Sequence, residues 1–113
     1  MKRRPIGFAL LLWAGMTSLA YGQAAQTPLR GDAEAGRQTA LRGCATCHTV
    51  PGGPAAATDT APTFLGIARN PQRNRADVTA WLMEPHMPMP NFQLTVREIA
   101  DLAAYIDSLR GTP

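Results

Sequence analysis

The 113-residue sequence has almost no lysine, and this scarcity limits the partners that the protein can have. The only lysine is Lys2, which stands beside Arg3 and Arg4. Of the 11 lysines and arginines, removing these three leaves eight, which balance the eight acidic residues. Nucleic-acid binding requires a concentrated basic face. Residues 23–113 have no net charge, so we expect no nucleic-acid partner.

Cysteine is equally scarce, since Cys44 and Cys47 are the only two in the chain. The apolar core of a domain of this size is only marginally stabilising, so such a domain usually needs a cross-link or a bound group as well. Exported proteins normally use disulfides for this purpose. A bridge between cysteines three positions apart closes a very small loop and adds little stability. Another group must therefore hold this fold together.

No window of the sequence alternates apolar and polar residues as a half-buried strand does, so we predict an all-α fold. The last helix has the clearest signals, because Thr95 and Glu98 match a capping box and Gly111 follows its end. Gly36 costs ~1 kcal/mol relative to alanine within a helix, which indicates close packing there. The earlier helices are predicted from Ala33 to about Arg42, from Thr63 to Ala68 and from Asp77 to Met83.

Glycine and proline predict where the helices end and which segments are irregular. Gly43 should end the first helix, and Pro85 should end the third. The stretch 49–62 is rich in proline, glycine, alanine and threonine and has no helical or strand period, which predicts a loop. Two further prolines, at 88 and 90, favour an extended conformation over 86–91.

The N-terminal segment has the pattern of a secretory signal. Three cationic residues precede an apolar run over 6–20, and Ala20-Tyr21-Gly22 provides small residues before Gln23. The run of ~15 residues is short for the ~20 that cross a bilayer. We therefore predict a signal peptide over 1–22 and a periplasmic protein. The alternative is an uncleaved N-terminal membrane anchor.

The segment Cys44-Ala45-Thr46-Cys47-His48 has the CxxCH spacing of covalent haem attachment. Two thiols one helical turn apart can each add to a haem vinyl group, and the adjacent His48 then reaches the iron. The flat apolar macrocycle of a haem also buries more surface than any side chain. It would therefore supply the additional stabilisation that this small domain needs.

Two other uses of these residues remain open. Structural zinc needs four ligands, and His86 is the only further histidine that could complete a set with Cys44, Cys47 and His48. A thiol–disulfide CxxC normally follows a strand in a βαβ unit, and the sequence has no such pattern.

The sequence resembles the class I c-type cytochromes, in particular small bacterial monohaem members. The resemblance extends from Gly31 to Leu109 through GDAEAGRQTALRGCATCH, APTFLGIA and WLMEPHMPMPNFQLTVREIADLAAYIDSL. It implies a class I cytochrome c fold of about three to five helices around one covalent haem c. The domain would span 31–113, after a flexible lead-in over 23–30.

The resemblance also assigns roles to individual residues. Cys44 and Cys47 would hold the haem covalently, and His48 would be the proximal iron ligand. The Pro62 carbonyl would accept the His48 Nδ1 proton. Gly36 would pack against Tyr105 of the last helix.

The sixth iron ligand is a methionine by the same resemblance. Met89, in the MPN sequence, is the expected ligand, and Met87 is the alternative because it also precedes a proline. His86, or an iron with no sixth ligand, is the remaining possibility. The haem would pack against Phe64, Trp81 and Leu82, with Phe92 nearby.

A haem iron with two protein ligands implies an electron carrier rather than an enzyme. The expected partners are redox proteins, such as a dehydrogenase, an oxidase or a respiratory complex, and a membrane partner only if the N-terminal segment is retained. The alternative is an enzyme or sensor in which the methionine leaves the iron open. His86 is the only further histidine, so the chain offers few polar side chains that could act on a small molecule at an open iron.

Overall fold

A computed structural model of the chain describes residues 29–84 and 86–113. The predicted signal segment, and the lead-in up to residue 28, lie outside the described residues. The described part contains no strand and has four α-helices, in agreement with the all-α prediction. These helices are α1 (Ala33–Thr39), α2 (Phe64–Arg69), α3 (Arg75–Met83) and α4 (Val96–Ser108). None of the helices in these ranges is long and apolar enough to cross a membrane.

Helix α1 continues directly into a π-helical turn over Ala40–Cys44. The Ala45 N–H donates to the Ala40 carbonyl at 3.0 Å, five residues earlier. The prediction that Gly43 ends the helix was therefore wrong. A glycine costs only ~1 kcal/mol in a helix, and burial of the neighbouring Ala40, Cys44 and Ala45 offsets this cost.

Side-chain caps set the starts of α2 and α3. The Thr63 hydroxyl accepts from the Gly66 N–H, so α2 begins near the predicted position. Helix α3 begins two residues earlier than predicted, because Asn74 caps it and Asp77 completes a capping box with the Asn74 N–H at 2.7 Å. An Asn and Asp pair is a less familiar form of this box than Thr and Glu, which is why the sequence prediction missed it.

Helix α4 follows its prediction, with Thr95 as N-cap and Glu98 as the partner in the capping box. A short 3₁₀ turn over Leu109–Gly111 ends it. One apolar stripe of α4 and of this turn is buried: Ile99, Leu102, Ala103, Ile106 and Leu109. Helix α4 is therefore the helix against which α1, α2 and α3 pack to form the core.

Helices α1 and α4 meet at Gly36. A Cβ at this position would overlap the backbone of α4 at Asp101 and Leu102. The expected partner of Gly36 was Tyr105, but the nearest α4 atoms belong to residues one turn earlier. Glycine removes the side chain that would otherwise separate the two backbones.

A buried carboxylate also holds the start of α1 on α4. Asp101 as a residue is only 6% exposed, and its Oδ1 accepts from the Asp32 N–H at 2.6 Å. Asp32 in turn caps α1 through the Ala35 N–H at 2.9 Å. Arg97 Nε lies 3.4 Å from the same Asp101 oxygen and partly compensates its charge. The contact at Gly36 and this hydrogen bond together fix α1 on α4.

We expect Gly36→Ala to destabilise the protein by about 1–3 kcal/mol, because the new methyl group would overpack the helix contact. The matched control is Gly43→Ala, since a Cβ there meets no atom within 4 Å. The control should be neutral, or stabilising by up to about 1 kcal/mol. Urea unfolding of the holoprotein measures both changes, and equal free energies of unfolding for the two variants would contradict the close contact.

The capping box of α4 should make stability depend on pH. Hydrogen bonds from the Thr95 backbone N–H, and then from its hydroxyl, hold the pKa of Glu98 below its ordinary value of 4.5. A carboxyl whose pKa is lowered on folding stabilises the protein above its unfolded pKa, and this contribution disappears as the pH falls through the folded pKa.

We therefore expect the free energy of unfolding to decline below pH 4.5 and to decline less steeply in Glu98→Gln. Unfolding curves across this acid range test the expectation. Asp59→Asn, which removes an exposed loop carboxyl, is the control for the loss of one negative charge. Equal acid sensitivity of wild type and Glu98→Gln would be the opposing result.

Candidate functional site

The CxxCH segment forms a tight turn at the end of the π-helical segment. The N–H groups of Cys47 and His48 both donate to the Cys44 carbonyl, at 3.1 and 2.9 Å. Both cysteines are free thiols, Cys44 buried in the core and Cys47 exposed. The turn therefore keeps two thiols and one imidazole within five residues of continuous backbone.

Burial raises the pKa of the Cys44 thiol to about 11. A thiol in this environment stays protonated at neutral pH and is a poor nucleophile and metal ligand. A thioether sulfur is neutral and has no proton to lose, so burying it costs less free energy than burying a charged thiolate. The burial of Cys44 thus favours a covalent bond to carbon over zinc binding or disulfide exchange.

The Pro62 carbonyl fixes the orientation of His48. Nδ1 of the ring lies 2.6 Å from this oxygen, and a carbonyl only accepts hydrogen bonds. Nδ1 therefore carries the proton, which leaves the lone pair on Nε2. The Phe64 ring lies edge-on to the imidazole at 5.5 Å and is itself buried. The hydrogen bond from the Phe64 N–H to the Thr49 carbonyl, at 3.0 Å, joins the two ends of the loop that carries Pro62.

A second group of predicted residues lines a small pocket between α3 and the start of α4. Trp81, Leu82 and Met89 all lie in this pocket. Met87 does not line it, and its side chain is 91% exposed. Of the two methionines that were expected as alternatives, Met89 is thus the one whose side chain lies in a pocket.

The segment between α3 and α4 differs from its prediction. The stretch 86–91 was expected to be extended, but the chain makes a turn at Met87 and Pro88. The fixed φ of proline suits turns as well as extended backbone, so the prolines alone do not distinguish the two. This turn separates the exposed Met87 from the half-buried Met89.

The two groups of residues meet at one core. Leu82 and Leu94 line the pocket and also pack against the core cluster that contains Cys44 and Phe64. The Phe64 ring lies 6.1 Å from the Tyr105 ring of α4. The CxxCH turn and the pocket of Met89 therefore border the same apolar core, although 41 positions separate His48 from Met89.

Two contacts of the Trp81 ring were not predicted from the sequence. The His86 ring lies 4.5 Å from the Trp81 ring, and the Arg73 guanidinium carbon lies 4.5 Å from the centroid of the same ring. Phe92 and Trp81 are each nearly half exposed along the pocket. No spacing rule links 73, 81 and 86, so only the packing of the segment after α3 reveals this cluster.

The residues present fit a haem. Two thiols in one turn, an imidazole with a free Nε2 and a pocket lined by Trp81, Leu82, Met89 and Phe92 are the donors and apolar walls that this group needs. The alternatives lack such support. In the described residues no three His, Cys, Asp or Glu side chains cluster as metal ligands. These residues also contain no strand on which a thioredoxin-like CxxC could be built.

Comparisons with known proteins identify the family of the chain. The family model for cytochrome c matches residues 33–110. The cytochrome c-552 of Bradyrhizobium diazoefficiens is 40% identical over 92 residues, which cover 81% of this chain and 88% of that protein. No solved structure matches the chain significantly. The chain therefore belongs to the cytochrome c family, whose members carry covalently bound haem c and transfer electrons to and from redox partner proteins.

Proposed function

We propose that this protein is a periplasmic electron carrier in which His48 and Met89 are the axial ligands of the haem iron. The observation that carries the proposal is the hydrogen bond of His48 Nδ1 to the Pro62 carbonyl, which directs the lone pair to Nε2. When bound, haem supplies one-electron exchange between ferrous and ferric iron. Cys44 and Cys47 keep the group attached through thioether bonds.

The Pro62 carbonyl does more than orient His48. A hydrogen bond from Nδ1–H to a carbonyl raises the basicity of the other ring nitrogen, which strengthens its bond to iron. Phe64 packs edge-on against the same ring and restricts its rotation. His48 is thus restrained both by a hydrogen bond and by packing, and this restraint reduces the rearrangement that accompanies electron transfer.

Met89 is the better candidate for the sixth ligand because its side chain lines the pocket, whereas Met87 is 91% exposed. A thioether ligand raises the reduction potential relative to a second imidazole. Trp81 and Leu82 line the same pocket as Met89 and supply apolar surface beside it. A haem iron with two protein ligands would suit an electron carrier rather than an enzyme.

The charges of the chain suit brief contacts with redox partners, the expected classes being a dehydrogenase, an oxidase or a respiratory complex. Residues 23–113 are neutral overall, so electrostatic steering should be weak. Several arginines also have structural roles: Arg69 donates to the Thr112 carbonyl at 2.8 Å, and Arg110 pairs with Asp107 at 2.8 Å. Partner recognition would then rest on the small apolar surface around the haem edge.

The choice of methionine can be tested with two matched variants. Met89→Ala should lose the NMR methyl signal of an iron-bound methionine. Met87→Ala should keep this signal, because its exposed side chain contributes no ligand. The reverse pattern would transfer the axial role to Met87.

The export proposal predicts that the mature protein begins at Gln23, after the small residues of the cleavage site. The mass of the haem-containing protein purified from the periplasm of an expressing bacterium measures this directly. A mass that includes residues 1–22 would instead indicate a retained N-terminal anchor. In that case the protein should partition with membranes.

A further inference from the structure

His86 makes the same kind of hydrogen bond as His48, between Nδ1 of the ring and a backbone carbonyl oxygen. Nδ1 of His86 lies 3.0 Å from the Glu84 carbonyl oxygen, as Nδ1 of His48 lies near the Pro62 oxygen. Since a carbonyl only accepts, Nδ1 carries the ring proton in both residues. Each Nε2 therefore keeps its lone pair, the arrangement that is typical of histidines that bind metal.

His86 also lies in the pocket of Met89. The two side chains line it together, with Trp81, Leu82, Phe92 and Leu94. The His86 ring is half-buried and meets the Trp81 ring at an interplanar angle of 80°. This edge-to-face contact holds the imidazole at the pocket wall, three positions from the thioether.

The chain offers few other groups that could replace Met89 at an iron. No lysine follows Lys2 in the sequence, and arginine keeps its proton in proteins. Met83 and Met87 are 60% and 91% exposed. Among the residues that line the pocket, His86 is therefore the one imidazole, and imidazole is a good ligand for iron.

We propose that His86 is a reserve axial ligand, whose Nε2 takes the sixth position of the haem iron when the Met89 thioether leaves it. This inference rests on the proposed His48 and Met89 ligation. In the exchange one iron–sulfur bond breaks and one iron–nitrogen bond forms. No electron is transferred. Nδ1 of His86 keeps its proton, which stays hydrogen-bonded to the Glu84 carbonyl oxygen.

The exchange changes what the protein can do. A second imidazole in place of the thioether lowers the reduction potential. The carrier then keeps a closed, six-coordinate iron and changes its redox partners, instead of opening the iron to small molecules. Trp81 opposes the exchange as long as it keeps His86 at the wall, so the thioether form is the resting form.

The test compares ferric holoprotein variants by electron paramagnetic resonance and by NMR with ¹⁵N-labelled histidine. Met89→Ala, and Met89→Leu as the variant that retains apolar volume, should be low-spin, with two iron-bound imidazoles and a midpoint potential below that of wild type. The double variant Met89→Ala/His86→Ala should be high-spin. His86→Ala alone should keep the methionine methyl signal of wild type.

Each other result has a distinct meaning. High-spin iron in both Met89 variants would overturn the role of His86 and leave Met89 ligation intact. A double variant that stays low-spin would also overturn it, since some other group would then be the ligand. Loss of the methionine signal in His86→Ala would overturn the reserve role, because His86 would already be needed in the resting form. Retention of that signal in both Met89 variants would instead refute the proposed His48 and Met89 pair.

Discussion

The direct contact of helix α1 with the backbone of α4 at Gly36 is the constraint on which the rest of the fold depends. With no side chain between the helices, the start of α1 comes close enough for its Asp32 N–H to reach the buried Asp101 carboxylate. The other end of the same helical segment carries Cys44 into the core beside Phe64. This contact, near the other end of the helical segment from Cys44, thus helps to determine where the CxxCH turn lies.

Histidine chemistry at this site is governed by backbone carbonyls rather than by charged side chains. Both histidines have Nδ1 beside a carbonyl oxygen, from Pro62 for His48 and from Glu84 for His86. A neutral acceptor selects one tautomer and adds no negative charge near the ring. A carboxylate in the same place would stabilise positive charge on the ring and, with haem bound, the ferric state. The carbonyls therefore orient the imidazoles at little electrostatic cost.

The absence of lysine beyond Lys2 affects both recognition and ligation. Arginine and acidic residues balance in residues 23–113, so attraction to a partner depends on local apolar contact more than on long-range charge. Arginine also cannot donate to iron as an uncharged amine can. The balance of charges therefore weakens steering, and the lack of lysine leaves thioethers and imidazoles as the side chains that could bind a haem iron.

The sequence by itself determined the local features: the all-α class, the capping box of Thr95 and Glu98, and the CxxCH motif. The capping box and the motif each depend on residues within five positions of one another, and the all-α class depends on the short period of apolar residues along the chain, so a local rule describes each. Tertiary structure decided which methionine lies in the pocket. It also decided the hydrogen bond from the Asp32 N–H to the Asp101 carboxylate and the contact of the Trp81 ring with the His86 ring. It also continued the first helix past Gly43, because burial outweighs the small helical penalty of glycine. These outcomes depend on contacts between distant segments or on burial, and no local pattern specifies either.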